Sequence, residues 1–400
     1  MRLLLVADTY PPARISGAVQ LHDLVTEMVA QGHRVTVLVP AAGLPTPVAI
    51  EQTDGATVLR VRAPQTKDVS LVRRAFAEMW LPFALLRGLC ASGAAAESFD
   101  GVVWYSPTIF LGLVASRVKH RSGCRSYLIV RDLFPDWAVD AGVMRRGLMY
   151  RFFKIVERFQ YRVADVIGVQ TPANVALVAR DAPVGAHIEV LHNWLASPQP
   201  IMQPGMLELG HVAGRTIFVY TGNMGIAQDL GAFLDLAAEM TDRSDVGFLF
   251  VGRGSEAGNL QALAQRRSLE NVEFMQEIDP ASIPALLGCC HIGIVALDPR
   301  HTTHNIPGKF ITYVRNGLPV LARVNRGNDL AGLIRESGVG CVVEGDSLAE
   351  LRQTALWLAD DAARRVDMAR AGLLLSQRCF TPAAAVDQIV STLLRDVSTA

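Results

Sequence analysis

Short apolar segments alternate with amphipathic segments from the first residues of the chain. Residues 3–7 and 34–39 are nearly continuous apolar runs, and the segment between them places Leu21, Leu24 and Met28 on one face of a helix. Strands of this kind are typical of a parallel sheet that helices cover on both faces. The same pattern predicts further strands in this domain, at 57–61, 101–104, 127–130, 166–169 and 188–191.

A second series of strands and helices follows an irregular stretch. Residues 196–215 are rich in proline and glycine and poor in large apolar side chains, which is typical of a linker. After it, the pattern predicts a helix over 229–240 and strands at 216–220, 247–251, 272–274, 292–296, 320–322 and 340–343. We therefore expect an α/β protein with a doubly wound domain at 1–195, a linker at 196–215 and a second doubly wound domain at 216–380.

Composition narrows the class of protein. Half of the 400 residues are apolar and 19% are charged, which excludes disordered, collagen-like and coiled-coil proteins. The 38 basic and 38 acidic side chains balance, so no overall positive field recruits nucleic acid. The six cysteines lack the spacing of zinc or redox sites, and we interpret them as buried free thiols. Since no signal-peptide pattern precedes Asp8, we expect a cytosolic protein.

Two loops of the first domain carry candidate site residues. Gly17 lies where a helix begins, so backbone N–H groups and the helix dipole can hold an anion there; a plain turn glycine is the alternative. Arg131 and Asp132 follow an apolar strand, where Asp132 can orient a sugar hydroxyl or assist proton transfer. A structural ion pair or a helix cap is the competing interpretation of this pair.

Three turns at strand ends of the second domain indicate a phosphorylated ligand. The first holds two glycines three residues apart, which can present several backbone N–H donors to a diphosphate, and the second adds an arginine. The third places a lysine in the first turn of a helix; a solvated lysine is its alternative. The candidate contacts are Gly222, Asn223, Gly225, Arg253, Pro307, Gly308 and Lys309.

Two segments are locally basic and have helical spacing of apolar residues. Residues 144–163 contain six basic side chains against one acidic side chain, and residues 67–87 contain four basic side chains near Trp80 and Phe83. Such helices can lie on an anionic membrane surface. A packed helix with a solvated basic face is the simpler alternative.

The order of these motifs resembles that of family 4 glycosyltransferases of the GT-B fold, especially the branch of fucosamine-type transferases that build O-antigen, capsule and exopolysaccharide. The resemblance covers nearly the whole chain. Its marks include D-T-Y-P-P at 8–12, R-D-L-F-P-D at 131–136, L-H-N-W at 191–194, Y-T-G-N-M-G-I-A-Q-D-L at 220–230 and I-P-G-K-F-I-T-Y-V-R-N-G-L-P-V at 306–320.

The resemblance implies an activity and a fold. It implies a retaining transfer of a sugar from a nucleotide diphosphate donor, with a UDP-sugar favoured, to a polyprenyl-linked or lipopolysaccharide-type saccharide. It also implies that the transfer requires no metal ion or other cofactor. The two Rossmann-like domains would face each other across a cleft, and residues 381–400 would pack back on the first domain as a helix. The enzyme would be peripheral at the inner face of the plasma membrane.

The resemblance also assigns roles to the candidate residues. Residues 222–225 and 307–309 would hold the diphosphate, with Gly17 contributing from the first domain. The expected base contacts are Gln276, Glu277 and Ile278. The expected catalytic residues are Asp132, Arg131 and Lys309.

The chain departs from the family pattern at three places. His304 and Thr312 stand where many members have a glutamate pair, and Asn223 and Gln228 stand where many have cations. Arg131 replaces the frequent histidine beside Asp132. Two alternatives therefore stay open: a nucleotide-sugar 2-epimerase of the same fold, and a non-catalytic subunit that binds a nucleotide sugar.

Overall fold

Two compact units make up the protein. The computed structural model describes residues 1–13, 15–66, 71–140, 142–196, 208–300 and 306–394. The first unit comprises Met1–Trp194 and the C-terminal segment that begins at Pro382, and the second comprises Leu195–Thr381. Each unit contains one sheet.

Strands and helices alternate through the first unit. Its elements are β1 (Arg2–Val6), α1 (Ser16–Ala30), β2 (Arg34–Ala41), β3 (Val48–Thr53), β4 (Ala56–Arg62), α2 (Leu71–Ala91), β5 (Gly101–Ser106), α3 (Gly112–Ser122), β6 (Arg125–Val130), α4 (Asp136–Asp140), α5 (Leu148–Val163), β7 (Val166–Val169), α6 (Pro172–Ala179) and β8 (His187–Val190). The strand order is β3-β4-β2-β1-β5-β6-β7-β8, parallel except for the β3–β4 pair. This order reverses between β1 and β5, which is where open α/β sheets bind ligands.

The apolar character of β1 follows from burial on both faces. Leu4 and Val6 belong to the apolar cluster on one side of the sheet, whereas Leu3 and Leu5 belong to the cluster on the other. Because successive strand residues point to opposite faces, a strand covered on both sides must be apolar throughout. The parallel sheet that this pattern predicts is confirmed.

Strand β3 is an element that the sequence analysis missed. It pairs antiparallel with β4, placing Ile50 opposite Leu59, and its side chains are largely exposed. The connecting turn is Asp54-Gly55, where both residues have positive φ, 49° and 79°. Asp-Gly favours this type of hairpin turn, so the turn was the available signal. An edge strand open to solvent has no apolar run to reveal it.

The second unit repeats the architecture. Its elements are β9 (Thr216–Thr221), α7 (Gly231–Ala238), β10 (Val246–Val251), α8 (Ala257–Arg266), β11 (Val272–Met275), α9 (Ile283–Leu287), β12 (Ile292–Ala296), α10 (Gly308–Arg315), β13 (Val320–Val324), α11 (Asp329–Ser337), β14 (Gly340–Glu344), α12 (Leu348–Asp360) and α13 (Ala362–Cys379). The strand order is β11-β10-β9-β12-β13-β14, parallel throughout. The order reverses between β9 and β12. The predicted pair of Rossmann-like domains is therefore confirmed.

The structure places the start of the second unit before the predicted strand at Thr216. Residues 197–207 of the predicted linker lie outside the described residues. Leu209 and Val212 are buried among apolar side chains of the second unit, so residues 208–215 belong to its packed part.

The last helix, α14 (Pro382–Leu394), packs against α1 and β6 of the first unit. Its Val386 and Ile389 are fully buried in the cluster that contains Leu21 and Leu24. The helix therefore completes the core of the first unit.

Candidate functional site

The loops after β9 and β10 pack backbone against backbone at the carboxyl edge of the second sheet. The Gly222 N–H donates to the Val251 carbonyl at 2.9 Å, and the Met224 N–H donates to the Arg253 carbonyl at 2.8 Å. A Cβ atom at Gly252 would lie 2.1 Å from the Gly222 oxygen. Only glycine fits at position 252, which lets the two loops form one surface beside the point of strand reversal.

Fewer N–H groups of this surface are free than the sequence analysis expects. Besides the Gly222 and Met224 amides, the Gly225 N–H is occupied because it donates to Gln228 Oε1 at 2.9 Å. Within the described residues, the exposed Asn223 N–H has no acceptor. The expectation of several free donors at residues 222–225 is therefore corrected to the single amide of Asn223.

Lys309 supplies the positive charge at this edge. It lies in the first turn of α10, directly after Pro307 and Gly308, with its Nζ 4.7 Å from the centre of the Tyr220 ring. No carboxylate among the described residues pairs with it. Burial lowers the pKa of Lys309 to about 8, because its surroundings disfavour the charged form. A cation in this state is stabilised by binding an anion.

Two tyrosines fix the position of Lys309 relative to the loop at residues 222–225. The Tyr220 hydroxyl donates to the Asn223 carbonyl, and the buried Tyr313 hydroxyl accepts the Thr221 N–H at 2.9 Å. Because Tyr313 is on α10, this second bond connects the helix of Lys309 to the end of β9. The sequence analysis quoted both tyrosines within motifs and missed this role.

Arg253 and the predicted base contacts lie at the ends of β10 and β11. Arg253 Nε lies 3.0 Å from Glu277 Oε2, and both side chains are exposed. Gln276 is also exposed, whereas Ile278 packs partly against an apolar cluster of the unit. Arg253 is thus already paired with a carboxylate, whereas Lys309, the other cation of the predicted donor contacts, has no such partner among the described residues.

Gly17 of the first unit lies at the strand reversal of its own sheet. It is in the first turn of α1, whose first residues receive no side-chain cap. A Cβ atom at Gly17 would approach the Tyr105 hydroxyl to 3.2 Å, so a larger residue would crowd that tyrosine at the end of β5. Burial raises the pKa of Tyr105 to about 12, and the hydroxyl therefore stays protonated at neutral pH.

Arg131 binds the backbone that follows β8. Its guanidinium donates to the Leu191 carbonyl at 2.8 Å and to the His192 carbonyl at 3.4 Å, and it lies 5.2 Å from the centre of the Trp194 ring. Burial lowers its pKa, but the group stays charged because arginine starts from a very high value. These contacts indicate a positioning residue for the L-H-N-W segment, not a group that touches the reacting atoms.

Asp132, next to Arg131, is exposed and has no hydrogen-bond partner among the described residues. Partial desolvation raises the pKa of its carboxyl, while Arg74 and Arg131 oppose the rise. Asp132 is therefore the predicted catalytic residue of this unit whose carboxylate is available to a substrate.

In the part of the chain that the structure describes, one carboxylate cluster has oxygens close enough to hold a metal ion. It consists of Asp136, Glu157 and Asp181, with ligand oxygens within 4.8 Å of one another. Lys154 already occupies it: its ammonium lies 2.9 Å from Asp136 and 2.6 Å from Asp181, and it also contacts Glu157. The cluster is a buried ion-pair network, and the prediction of metal independence stays a prediction.

Many family members have glutamates at the positions of His304 and Thr312, and the structure describes only Thr312 of these two. His304 lies outside the described residues. The Thr312 hydroxyl donates to the Gly308 carbonyl at 3.1 Å, a bond to the preceding helical turn that serine and threonine often make.

Two family models match the chain in succession. A glycosyl transferase 4-like domain matches residues 17–194, and a glycosyl transferases group 1 domain matches residues 215–361. The probable glycosyltransferase WbjE of Pseudomonas aeruginosa is 20% identical over 344 residues, which are 85% of this chain and 84% of WbjE. The putative colanic acid biosynthesis glycosyl transferase WcaI of Escherichia coli strain K12 is 23% identical over 326 residues, 73% of this chain and 76% of WcaI.

Solved structures share the fold over nearly the whole chain. Sucrose-phosphate synthase from Thermosynechococcus elongatus superposes with a TM-score of 0.70 at 15% identity, covering 98% of both chains. HepE from Anabaena, solved in complex with UDP, gives a TM-score of 0.66 at 14% identity, covering 98% of this chain and 99% of HepE. Both structures carry the same two-domain architecture.

Proposed function

Since this chain belongs to the GT-B glycosyltransferases, with a 4-like domain followed by a group 1 domain, we propose that it transfers a sugar from a nucleotide diphosphate to a saccharide acceptor. A UDP-sugar is the favoured donor. The transfer retains the anomeric configuration and requires no metal ion. Lys309 is the observation that carries the proposal, because its uncompensated ammonium lies beside a glycine loop at the strand reversal of the second sheet.

In this proposal, the second unit holds the leaving group. The Lys309 ammonium, the Asn223 N–H and the N-terminus of α10 bind the diphosphate. Negative charge develops on the diphosphate as its bond to the anomeric carbon breaks, and a fixed cation stabilises that charge. Tyr220 and Tyr313 keep this cation and this amide in place, so little reorganisation is needed during the reaction.

The nucleotide base contacts the ends of β10 and β11. Gln276, Glu277 and Ile278 provide polar and apolar surface beside Arg253. The Anabaena structure was solved with UDP, which supports a uracil nucleotide.

The first unit receives the acceptor in this proposal. Asp132 orients the acceptor hydroxyl and takes part in its proton transfer, and Arg131 positions the adjacent 191–194 backbone. A polyprenyl-linked or lipopolysaccharide-type acceptor would place the enzyme at the inner face of the plasma membrane. The assignment of WcaI to colanic acid biosynthesis supports an acceptor from surface polysaccharide assembly.

The test measures nucleotide release and sugar transfer with and without acceptor. The protein is incubated with UDP-sugars, and UDP release is measured before and after membrane lipids that carry polyprenyl-linked saccharide are added. Acceptor-dependent UDP release with a new glycosidic bond supports the transferase. Interconversion of the donor sugar without acceptor would instead show a 2-epimerase, and binding without either reaction would show a non-catalytic subunit.

A further inference from the structure

Helix α5 buries two charged side chains and exposes several large apolar ones. Lys154 and Glu157 are only 7% and 2% exposed, whereas Leu148 and Ile155 are 83% and 67% exposed. Phe152 and Phe159 are exposed as well. The spacing of these four apolar residues places them on one face of the helix, and we call this face the α5 stripe (Leu148, Phe152, Ile155 and Phe159).

The ion-pair network fixes this orientation. Lys154 is held by Asp136 and Asp181, and Glu157 accepts a hydrogen bond from the Tyr161 hydroxyl at 3.0 Å. Turning the helix to bury the α5 stripe would separate these charges, and an unpaired buried charge is strongly destabilising. The stripe is therefore held towards solvent by the fold itself.

Arginines follow one edge of the α5 stripe. Arg151, Arg158 and Arg162 are exposed and share one side of the helix, and Arg145 and Arg146 precede it. Arg158 pairs with Asp181 at 2.8 Å. Within the described ranges, no carboxylate pairs with Arg151 or Arg162.

Helix α2 carries a second exposed apolar face. Phe76, Trp80 and Phe83 are exposed at helical spacing and form what we call the α2 stripe, and Arg87 lies 5.5 Å from the centre of the Trp80 ring. Both α2 and α5 pack against the 3-10 turn at Ile109–Leu111. Side chains from both helices also join the cluster around Phe110 and Phe153, so the helices are neighbours in the first unit.

We infer that the α2 and α5 stripes together form the face by which the first unit inserts into the interfacial region of an anionic lipid bilayer. This inference deepens the proposed peripheral location and rests on it. Apolar side chains enter the acyl boundary, and the flanking arginines contact anionic headgroups. No helix among the described residues is long and apolar enough to cross a membrane, so the helices lie on the surface.

Charge favours a bilayer over a second copy of the chain. A two-fold symmetric dimer that packs the α5 stripes antiparallel would bring the arginine edges of the two copies close together, and like charges at an interface are costly. An anionic surface neutralises the unpaired Arg151 and Arg162 while the stripe leaves water. An anionic bilayer thus buries the exposed apolar area and neutralises the basic edge at the same time.

The experiment is co-sedimentation of the full chain with vesicles of phosphatidylcholine alone and with phosphatidylglycerol added. We expect strong binding to the anionic vesicles only. The stripe variant Phe152→Ser/Ile155→Ser/Phe159→Ser should lose at least about tenfold in binding. The charge variant Arg151→Gln/Arg162→Gln should lose about 25-fold, since each arginine near an anionic surface contributes about fivefold.

Matched controls substitute exposed residues of the second unit. Leu374→Ser controls for loss of apolar surface, and Arg266→Gln/Arg378→Gln controls for loss of charge; both should bind as wild type does. Every variant should keep its thermal unfolding transition and its stabilisation by UDP, because the substituted side chains are exposed. Loss of the UDP response would count against the proposed donor site and not against the docking face.

Three results would overturn the inference. The first is equal binding of wild type to neutral and anionic vesicles. The second is wild-type binding by the stripe variant. The third is a wild-type dimer that ignores vesicles and becomes monomeric in the stripe variant, which would assign the face to a second copy.

Discussion

The Lys309 ammonium lies over the ring of Tyr220, 4.7 Å from its centre, and no carboxylate of the described residues neutralises it. A tyrosine face attracts a cation but cannot replace the water that burial removes. The folded protein therefore holds a buried ammonium whose charge an anionic ligand would neutralise. Activity and stability should respond in opposite directions when this charge is removed.

Lys309→Met should lower turnover by at least about 100-fold, because a fixed cation on a developing charge contributes about 3 kcal/mol or more. The same variant should raise the free energy of unfolding at pH 7 by on the order of 2 kcal/mol, since the cost of burying the ammonium disappears. Steady-state kinetics and urea unfolding measure the two effects. A variant that is both fully active and no more stable would remove Lys309 from the site.

The affinity for UDP should depend on the protonation of Lys309. Because burial lowers the pKa of Lys309 to about 8, the free protein loses this charge as the pH rises through 8, and UDP affinity should fall over the same interval. The unfolded chain keeps its lysine proton to about 10.4, so the stability of the free protein should rise between pH 8 and that value. Calorimetric titration with UDP from pH 7 to 9.5 checks the first effect. Lys309→Arg, which stays charged, should show a flat profile.

Gly252→Ala should disrupt the paired loops after β9 and β10. The new Cβ atom would lie 2.1 Å from the Gly222 oxygen, at a φ of 143° that other residues rarely adopt. We expect a loss of about 2–4 kcal/mol in the free energy of unfolding and no stabilisation by UDP. Gly258→Ala is the control, since a Cβ atom there meets open space within α8 and should stabilise by about 0.5–1 kcal/mol. Equal unfolding midpoints for the two variants would contradict the paired-loop geometry.

Substitutions of Arg131 and Asp132 should distinguish a positioning residue from a catalytic residue. Arg131→Met leaves the Leu191 and His192 carbonyls without their donor and should cost about 2–4 kcal/mol in the free energy of unfolding. Asp132→Asn should leave stability within about 0.5 kcal/mol, since the side chain is exposed, but lower kcat by about 100-fold. Arg131→Lys restores the charge without the forked contact and should recover little stability. Normal turnover in Asp132→Asn would exclude the carboxylate from the reaction.

The sequence was sufficient for most of the fold because parallel strands are buried on both faces. β1 is apolar after Arg2 and β10 is apolar throughout, and such runs stand out between helices. β3 was not predicted because its largely exposed residues form no apolar run. Length and pattern thus predict buried strands well and edge strands poorly.

The periodicity of apolar residues could not predict which face of α5 is buried. The spacing of Phe152, Ile155 and Phe159 predicts an amphipathic helix, and a helix that packs on its apolar face was the simpler interpretation. The structure instead turns these three side chains to solvent, because Lys154, on another face of the helix, joins carboxylates from α4 and from the segment after α6. The occupied N–H of Gly225 is similar: whether Gln228 folds back onto its own loop depends on local geometry that residue types do not specify.

The return of α14 to the first unit has a consequence for synthesis on the ribosome. The first unit begins the chain, yet Val386 and Ile389, which fill its core beside Leu24, are translated only after the whole second unit. A nascent chain can therefore complete the second unit while the first still lacks a buried helix and leaves apolar surface uncovered. Most of the first unit thus leaves the ribosome before the second unit, yet its core is completed after it.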